Sequence, residues 1–583
     1  MPFRWVYATP DTTSIEVLTQ ELNIPGQIAH LLSLRGIDSF EKAQGFFRPG
    51  VEKLHDPFLM KDMKPAAQRL CKAIRNCERV MVYGDYDVDG TTATSIVYTF
   101  LKSFGLNVEY YIPHRFKEGY GINPEGIKHA MQIGASLIVS VDCGITAIDE
   151  ARFARQNGID LIICDHHNAG DELPDAVAVL DPKRPDCTYP FDGLSGAGVG
   201  FKLVQATITE LGLSQTLAYQ YLDLVAISIA SDIVPMIGEN RILMREGLSM
   251  INSNPRVGIR ELLRLIKVKA GTITTSNIVF SLGPRINAAG RMGDATTAVE
   301  LMISTDETTA SRYAKELEAV NLKRRNTDSL TMEQAIEQIE NDFNMDEASS
   351  MVLHDPKWHL GVIGIVASRL VDAYYRPAIM LSTVEGKIKG SARSVKGFNI
   401  YEALKKCDDL LEQFGGHEFA AGLTMDESNL EEFRERIDQI AFRYLKENDF
   451  MPEITIEHKL DLKNVNMRFW KLLSQFEPFG PGNLRPIFVS EDVCVEGVPS
   501  IVGNGHLKLK VSQGESGVFD AIGFNMHEYM PQLINCEDNK IDVAYVLEEN
   551  FWNSKRTLQM RLKDIHIKAR AETREKELKI DGT

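Results

Sequence analysis

The stretch that decides the fold is RVMVYGDYDVDGTTA, residues 79–93. Its first half is an apolar run typical of a buried strand, and its second half carries Asp85, Asp87 and Asp89 where a helix should begin. Carboxylates this close repel one another unless a cation lies between them. The stretch therefore predicts a strand followed by a helix, with a cation-binding site at their junction.

Four more apolar runs follow at the spacing of a repeated strand–helix unit. They are VEYYIP, SLIVSVDCG, DLIICDHH and AVAVLDP, and amphipathic stretches at about residues 91–104, 123–134 and 146–158 lie among them. Strands that alternate with helices indicate a parallel sheet, and near-continuous Val, Ile and Leu indicate that both of its faces are covered. We predict an α/β fold with a doubly wound parallel sheet.

The pattern changes several times along the rest of the chain. Residues 306–343 contain no Gly or Pro and predict a long connecting helix. A second α/β domain follows it, and then short strands with turn signals predict a small β-barrel. The predicted organisation is an N-terminal helical extension at 1–50, a first α/β domain at 51–305, the helix at 306–343, a second α/β domain at 344–448, the barrel at 449–568 and a charged tail at 569–583.

Composition favours a cytoplasmic protein with several domains. The 583 residues carry a formal net charge of −17, and the eight cysteines lack the spacing of a metal finger. No run reaches the roughly 18 apolar residues of a membrane span, and the N-terminus does not resemble a signal peptide. The acidic balance argues against a chain-wide electrostatic attachment to nucleic acid, but it permits a local basic channel.

Three strand ends bring potential metal ligands to one edge of the predicted sheet. Asp85 to Asp89 follow the first strand, Asp142 ends SLIVSVD, and Asp165-His166-His167 end DLIICDHH. A helix N-cap explains any single aspartate, but it does not explain all of them at one edge. Mixed oxygen and nitrogen ligands suit Mn²⁺, with Mg²⁺ a weaker fit to imidazole. So many ligands indicate two ions, with Asp142 as a candidate bridge, which is an arrangement that hydrolyses phosphoesters.

Several motifs carry a family resemblance. GDYDVDG, VDCG, CDHH and SDIVP resemble the successive motifs of the DHH phosphoesterase superfamily. GPRINAAGRMG, GSARS, FGGHEFAAG and FEPFGPGNLRPIF resemble the RecJ family within it. The resemblance covers roughly residues 50–568. It implies an oligonucleotide-binding (OB) fold for the barrel and a Mn²⁺- or Mg²⁺-dependent exonuclease. That enzyme would degrade single-stranded DNA from 5′ to 3′ into mononucleotides in DNA repair and recombination.

The resemblance also implies the site residues. The metal ligands carry over onto Asp87, Asp89, Asp142, His166, His167 and Asp232, and all of these except Asp232 are also assigned to catalysis. Related DHH phosphatases have a histidine shortly before the aspartates, where this chain has Tyr83 or Gly84, so we add Asp85 as its replacement. The predicted substrate-binding residues are Arg115, Arg285, Arg291, Arg393 and His417, because arginine pairs well with phosphate oxygens and glycine-rich backbone approaches them closely.

The expected partner is single-stranded DNA, with assistance from a helicase and a single-strand-binding protein, and the expected state is a monomer. Two alternatives stay open. One is another DHH enzyme, acting on short oligonucleotides, cyclic dinucleotides or pyrophosphate; the terminal barrel argues against it because such relatives are generally shorter. The other is a catalytically inactive DNA-binding scaffold; it conflicts with the presence of every principal Asp and His.

Overall fold

The computed structural model describes residues 3–269, 271–345, 347–446, 450–534, 540–552 and 555–567. The chain forms two compact units. The β-rich unit contains Met1–Pro49, Met451–Phe479 and Asn483–Thr583, and the α/β unit contains Gly50–Phe450 and Gly480–Gly482. The predicted charged tail at 569–583 lies outside the described residues. Among the described residues, every helix is too short or too polar to span a lipid bilayer.

The N-terminal segment belongs to the β-rich unit and contains a strand as well as helices. Its elements are β1 Arg4–Tyr7, α1 Thr12–Leu22, α2 Gly26–Ser33 and α3 Phe40–Phe47. Strand β1 pairs in parallel with Glu453–Ile456, and apolar residues of all three helices share one core with residues beyond position 459. The sequence predicted only helices here, because the partner of β1 lies far along the chain.

A parallel five-stranded sheet opens the α/β unit, as predicted. Its strands are β2 Val80–Gly84, β3 Val108–Tyr111, β4 Leu137–Val141, β5 Asp160–Cys164 and β6 Ala178–Leu180, in the order β3-β2-β4-β5-β6. The helices around them are α4 Met63–Arg75, α5 Val88–Lys102, α6 Pro124–Ile133 and α7 Ile148–Gln156. Val80 and Val82 enter one core cluster, whereas Met81 and Tyr83 enter another. Alternate residues of β2 therefore face two cores, which confirms the doubly wound sheet.

A helical region follows the parallel sheet and ends in the long connecting helix. Its elements are α8 Gly196–Glu210, α9 Thr216–Tyr219, α10 Leu222–Ser231, α11 Gly238–Ser253, α12 Val257–Ile266, α13 Thr275–Asn277, a π-helix at Ile278–Leu282, α14 Gly283–Met292, α15 Thr296–Ile303 and α16 Glu307–Asp342. The last of these matches the helix predicted at 306–343. Asp306 caps its first turn by accepting a hydrogen bond from the Thr309 amide at 2.8 Å.

A second, mixed sheet completes the α/β unit. Its strands are β7 Met351–His354, β8 Ala378–Val384, β9 Lys387–Arg393, β10 Gln413–His417 and β11 Ala420–Met425, in the order β10-β11-β9-β8-β7. The helices are α17 Leu360–Tyr374, α18 Ile400–Lys405 and α19 Leu430–Tyr444. The FGGHEFAAG motif forms the β10–β11 hairpin, with His417 opposite Ala420. The motif therefore joins two strands and does not open a helix.

Eight strands lie between residues 453 and 567 of the β-rich unit, and all of them except β12, which pairs with β1, belong to one sheet that forms a barrel. They are β12 Glu453–Ile456, β13 His458–Lys459, β14 Phe488–Val495, β15 Ser500–Val502, β16 His506–Ser512, β17 Phe519–Gly523, β18 Lys540–Trp552 and β19 Lys555–Ile567, with helices α20 Met467–Leu473 and α21 Met530–Ile534. The pairing order β14-β18-β19-β17-β16 closes on itself because β14 also pairs with β16. Five strands closed in this way are typical of an OB fold, as the sequence predicted.

Candidate active site

Asp89 is held at the centre of the site by backbone donors. Its carboxylate accepts hydrogen bonds from the Gly196 and Ala197 amides, each at 2.7 Å, and from the Ser228 hydroxyl at 2.7 Å. The two amides are the N-terminus of α8, whose orphan N–H groups and dipole stabilise an anion. Asp87 caps α5 by accepting from the Gly90 amide at 3.0 Å. Both carboxylates are therefore fixed by helix ends.

Asp85 and Asp142 are buried without enough hydrogen bonds. One carboxylate oxygen of each, Oδ1, has no hydrogen-bond partner in the part of the chain that the structure describes. Burial and then the charge of Asp87 raise the pKa of Asp85 well above its usual value. Burial and then the charges of Asp89 and Asp87 do the same to the pKa of Asp142. These carboxylates need a proton or a metal cation to be stable.

The backbone around Asp142 is unusually tight. Asp142 has a φ of 62°, and its amide donates to the Cys164 carbonyl at 2.8 Å. A Cβ on Gly196 would lie 2.6 Å from the Asp142 Cβ. Only glycine at position 196 therefore lets the start of α8 contact both Asp89 and Asp142.

His166 reaches into the middle of these carboxylates. Its Nε2 lies 3.2 Å from Asp142 Oδ1, 3.6 Å from Asp89 Oδ2 and 3.5 Å from Asp232 Oδ2. Neither ring nitrogen makes a hydrogen bond within the described residues. Burial lowers the pKa of His166, which favours the neutral imidazole that binds metals.

His167 is oriented by Asp165. The Asp165 carboxylate lies 2.7 Å from His167 Nδ1 and also accepts from the Ile145 and His166 amides, at 2.9 Å and 2.8 Å. Burial opposes a charged ring, but the Asp165 hydrogen bond and nearby carboxylates outweigh it and raise the pKa of His167 to about 9. Tyr120 donates to the Asp142 carbonyl at 3.1 Å and contacts the same ring nitrogen at 3.1 Å. Asp165 thus acts on the site through His167.

Among the residues that the structure describes, three overlapping groups of side chains have the geometry of a metal site. They are Asp142 with His166 and His167, Asp89 with His166 and Asp232, and Asp85 with Asp87 and Asp142. Within each group the potential ligand atoms lie within 4.8 Å of one another. Asp142 and His166 each belong to two groups. The two oxygens of Asp142 allow this carboxylate to be shared between two ions, whereas a neutral His166 ring would give a nitrogen to one of them. The unpartnered oxygens and ring nitrogens are the hard and borderline donors that Mn²⁺ and Mg²⁺ accept.

Two cavities of about 320 Å³ and about 920 Å³ adjoin the acidic cluster. The smaller is lined by Asp85 and Asp87, the larger by Arg393 and the β10–β11 hairpin, and both by Tyr86, Arg115 and Arg291. They therefore share a wall, and a chain of phosphates could follow it from the carboxylates to the hairpin.

The shared wall is strongly cationic. Burial and then the charges of Arg115, Arg324 and Arg393 lower the pKa of Arg291 to about 10. Burial, then Arg115, also lowers the pKa of Arg393. Arginines that repel one another in a cavity form a ready binding site for phosphate.

The structure brings most, but not all, of the predicted residues together. The seven predicted metal ligands all belong to the three groups, and Arg115, Arg291 and Arg393 line the cavities. Arg285 instead bonds the Glu318 carboxylate and the Ser281 carbonyl, and it lines neither cavity. His417 is exposed at the end of β10 and also lines neither, although Gly415 and Gly416 before it line the larger one.

Sequence reasoning missed several residues of the site. Tyr120 lies between two glycines of positive φ, Gly119 at 84° and Gly121 at 87°, which was the available signal in KEGYGIN. Asn287 accepts from the Val88 amide at 3.1 Å and lines the smaller cavity. Ser228 was not found because its bond to Asp89 depends on how α10 packs on α5.

Known families match most of this architecture. Residues 79–229 match the DHH family N-terminal domain, 347–441 the DHHA1 domain and 456–564 the RecJ OB domain. A RecJ protein of Bacillus subtilis is 39% identical over 567 residues, which cover 97% of this chain and 71% of that protein. The chain belongs to the RecJ family.

Other RecJ proteins extend this similarity. Escherichia coli RecJ is 32% identical over 568 residues, covering 93% of this chain and 96% of the relative. Both relatives are described as single-stranded-DNA-specific exonucleases. The crystal structure of Thermus thermophilus RecJ in complex with Mn²⁺ superposes with a TM-score of 0.83 at 29% identity, covering 97% of this chain and 80% of that one. A Mg²⁺ complex from the same organism has a TM-score of 0.77 at 27% identity, with 97% and 79% covered.

Proposed function

We propose that this chain is a divalent-metal-dependent exonuclease that degrades single-stranded DNA to mononucleotides in the 5′-to-3′ direction, and that it acts in DNA repair and recombination. The observation that carries the proposal is the shared wall between the two cavities. Carboxylates and imidazoles that can hold Mn²⁺ or Mg²⁺ lie on one side of Tyr86, Arg115 and Arg291, and the Arg393 cavity lies on the other.

The chain's own residues prepare the hydrolytic site. Two bound divalent ions would lower the pKa of a coordinated water and neutralise charge on the phosphoryl oxygens. Asp89 would be kept in place by the Gly196 and Ala197 amides, so its position is set before substrate arrives. Asp165 would hold the His167 ring through Nδ1, which leaves Nε2 for a metal. The Tyr120 hydroxyl contacts the same Nδ1 and restrains the ring further.

The cationic cavity would hold the terminal part of the strand. Arg115 and Arg291 would contact phosphates beside the reacting one, and Arg393 with the glycine-rich hairpin would engage the terminal phosphate. The stacked position of Arg115 over the Tyr86 ring, with 5.1 Å from Cζ to the centroid, pre-orients its guanidinium. The assignment of that terminus as the 5′ end rests on the resemblance to RecJ.

The OB fold supports a polymeric substrate. Residues 456–564 match the RecJ OB domain, and OB folds bind single strands by stacking and basic grooves. A phosphodiesterase of dinucleotides would not need this module. We further propose that the chain acts as a cytoplasmic monomer on single-stranded DNA, assisted by a helicase and a single-strand-binding protein.

The proposal is tested with single-stranded DNA labelled at either end, and with duplex DNA as a control, in the presence of Mn²⁺. A 5′ label should appear in mononucleotides from the first time points, whereas a 3′ label should stay in long fragments. Asp87→Ala should release neither label from the single-stranded DNA. Early release of the 3′ label, equal degradation of duplex, or full activity in Asp87→Ala would refute the proposal.

A further inference from the structure

The segment that carries Asp232 has little regular structure of its own. Asp232 follows the last residue of α10, and residues 233–237 connect it to α11. Ile233 adopts a φ of 60°, which is unfavourable for a β-branched residue, and 64% of its surface is exposed. Residues that pack against this segment can therefore influence where the Asp232 carboxylate lies beside His166 and Asp89.

Three residues, Gly480–Gly482, contact this segment directly. The Pro481 carbonyl accepts a hydrogen bond from the Met236 amide at 2.6 Å. A Cβ on Gly480 would lie 3.0 Å from the Met236 Cβ, and one on Gly482 would lie 3.2 Å from the Ile237 Cγ2. The backbone of Gly480–Gly482 therefore packs so closely against residues 236–237 that an added Cβ would force a neighbouring side chain to shift.

Asn240 holds the same segment from the opposite end. Its buried side-chain amide donates to the Pro235 carbonyl at 3.0 Å and to the Gly193 carbonyl at 2.5 Å. Gly193 lies three residues before Gly196, whose amide binds the Asp89 carboxylate. The Asn240 side chain thus connects the segment before Gly196, which binds Asp89, with the segment after Asp232. Gly480–Gly482 contacts the second of these segments at Met236 and Ile237.

We propose that Gly480–Gly482 is a positioning element that fixes Asp232 as a metal ligand. The proposal rests on the metal-dependent function proposed above. Groups that orient a metal ligand without touching the metal typically change metal affinity or activity by about 10–100-fold when they are altered. Because this element acts through backbone packing, its substitutions should weaken metal binding while the folded core remains intact.

The test compares glycine variants of the full-length chain that differ in what a new methyl group meets. Gly482→Ala introduces strain at a φ of 74° and also pushes against Ile237. Gly497→Ala introduces the same strain at an identical φ of 74° but meets nothing within 4 Å. Gly480→Ala, which needs no positive φ, presses only on Met236 and serves if Gly482→Ala does not fold.

Mn²⁺ alone is the probe, and its free concentration is measured by electron paramagnetic resonance in the absence of DNA. We expect Gly482→Ala to bind the ions roughly tenfold more weakly, Gly480→Ala to shift in the same direction, and Gly497→Ala to match the wild type. DNA degradation by the first two variants should fall most at limiting Mn²⁺ and recover in part at saturation.

Equal Mn²⁺ affinity in all three variants and the wild type would overturn the positioning role. A weakening in Gly497→Ala as large as in Gly482→Ala would overturn it as well, because strain alone would then account for the effect. Metal binding is measured without DNA, so a wild-type chain that binds Mn²⁺ but does not degrade DNA contradicts only the proposed function.

Discussion

The acidic edge of the parallel sheet and the glycine-rich hairpin of the second sheet, both in the α/β unit, are suited to ligands of opposite charge. The edge gathers carboxylates and imidazoles, and within the described residues one oxygen each of Asp85 and Asp142 and both ring nitrogens of His166 make no hydrogen bond, so the edge is suited to cations. The hairpin lines its cavity with backbone atoms, beside arginines that repel one another, so this cavity is suited to anions. The two regions meet at a common wall but use different chemical groups. Side-chain carboxylates and imidazoles are suited to metal ions, whereas backbone and arginine are suited to phosphates.

Removal of Asp142 should have the largest effect, because this residue belongs to two of the three metal groups. Asp142→Ala should lower Mn²⁺-dependent DNA degradation by roughly a thousandfold or more. It should also raise the melting temperature of the metal-free chain by a few degrees, because it removes a buried, mutually repelled carboxylate. Nuclease assays and thermal melts check both outcomes. The exposed Asp171→Ala is the control, and near-normal activity of Asp142→Ala would contradict the account.

Disturbance of the helix end that supports the edge should come next. Gly196→Ala places a methyl group 2.6 Å from Asp142 Cβ, whereas Gly198→Ala on the same helix meets Leu194 at 3.4 Å. We expect roughly a 10–100-fold loss of DNA degradation for Gly196→Ala and little change for Gly198→Ala. Similar rates for the two variants would show that close packing of α8 on Asp142 is unimportant.

Removal of an arginine from the cationic cavity should weaken the binding of single-stranded DNA. Arg393→Ala should raise the KM for single-stranded DNA about tenfold or more, since a charged hydrogen bond contributes about 1.5–3 kcal/mol. Arg285→Ala should raise it less, because Arg285 is already bonded to Glu318. Steady-state kinetics at saturating Mn²⁺ separates KM from kcat. A larger KM effect for Arg285→Ala would restore the role that the sequence predicted for it.

The smallest expected effect is a pH dependence of stability at the acidic edge. The pKa of His167 is raised to about 9 and that of Asp232 to about 8, the latter mainly by burial and then by Asp89 and Asp87. A raised pKa in the folded state contributes stability at low pH that is lost as pH rises through that pKa. The metal-free chain should therefore melt several degrees lower at pH 9 than at pH 6.5, and saturating Mn²⁺ should flatten this slope. A melting temperature that rises over this interval without metal would contradict the assignment.

The acidic edge could be predicted because it depends only on where each strand ends, which short stretches of sequence indicate. Carboxyl ends of parallel strands meet at one edge, so Asp85, Asp142 and His166 fall together once the strand positions are known. The alternation of apolar runs with amphipathic stretches located the five strands of the first sheet, and the absence of Gly and Pro located the long helix α16. Their roles as metal ligands remain a proposal.

The hairpin side could not be predicted in the same way. Arg285 and Arg291 lie on one helix, and only the packing of α14 against α16 determines that Arg285 meets Glu318. His417 is exposed at the end of β10, opposite Ala420, and the sequence does not specify this register. Strand β1 likewise depends on a partner at residues 453–456. Contacts between segments that are far apart in the chain therefore could not be predicted from the sequence.

The most direct test of the central claim is the number of Mn²⁺ ions that the full-length chain binds, measured by electron paramagnetic resonance without DNA. Two ions should bind to each chain, and tight binding should be lost in Asp142→Ala, since this residue is shared between two ligand groups. Absence of Mn²⁺ binding, or two ions bound with unchanged affinity in Asp142→Ala, would contradict it.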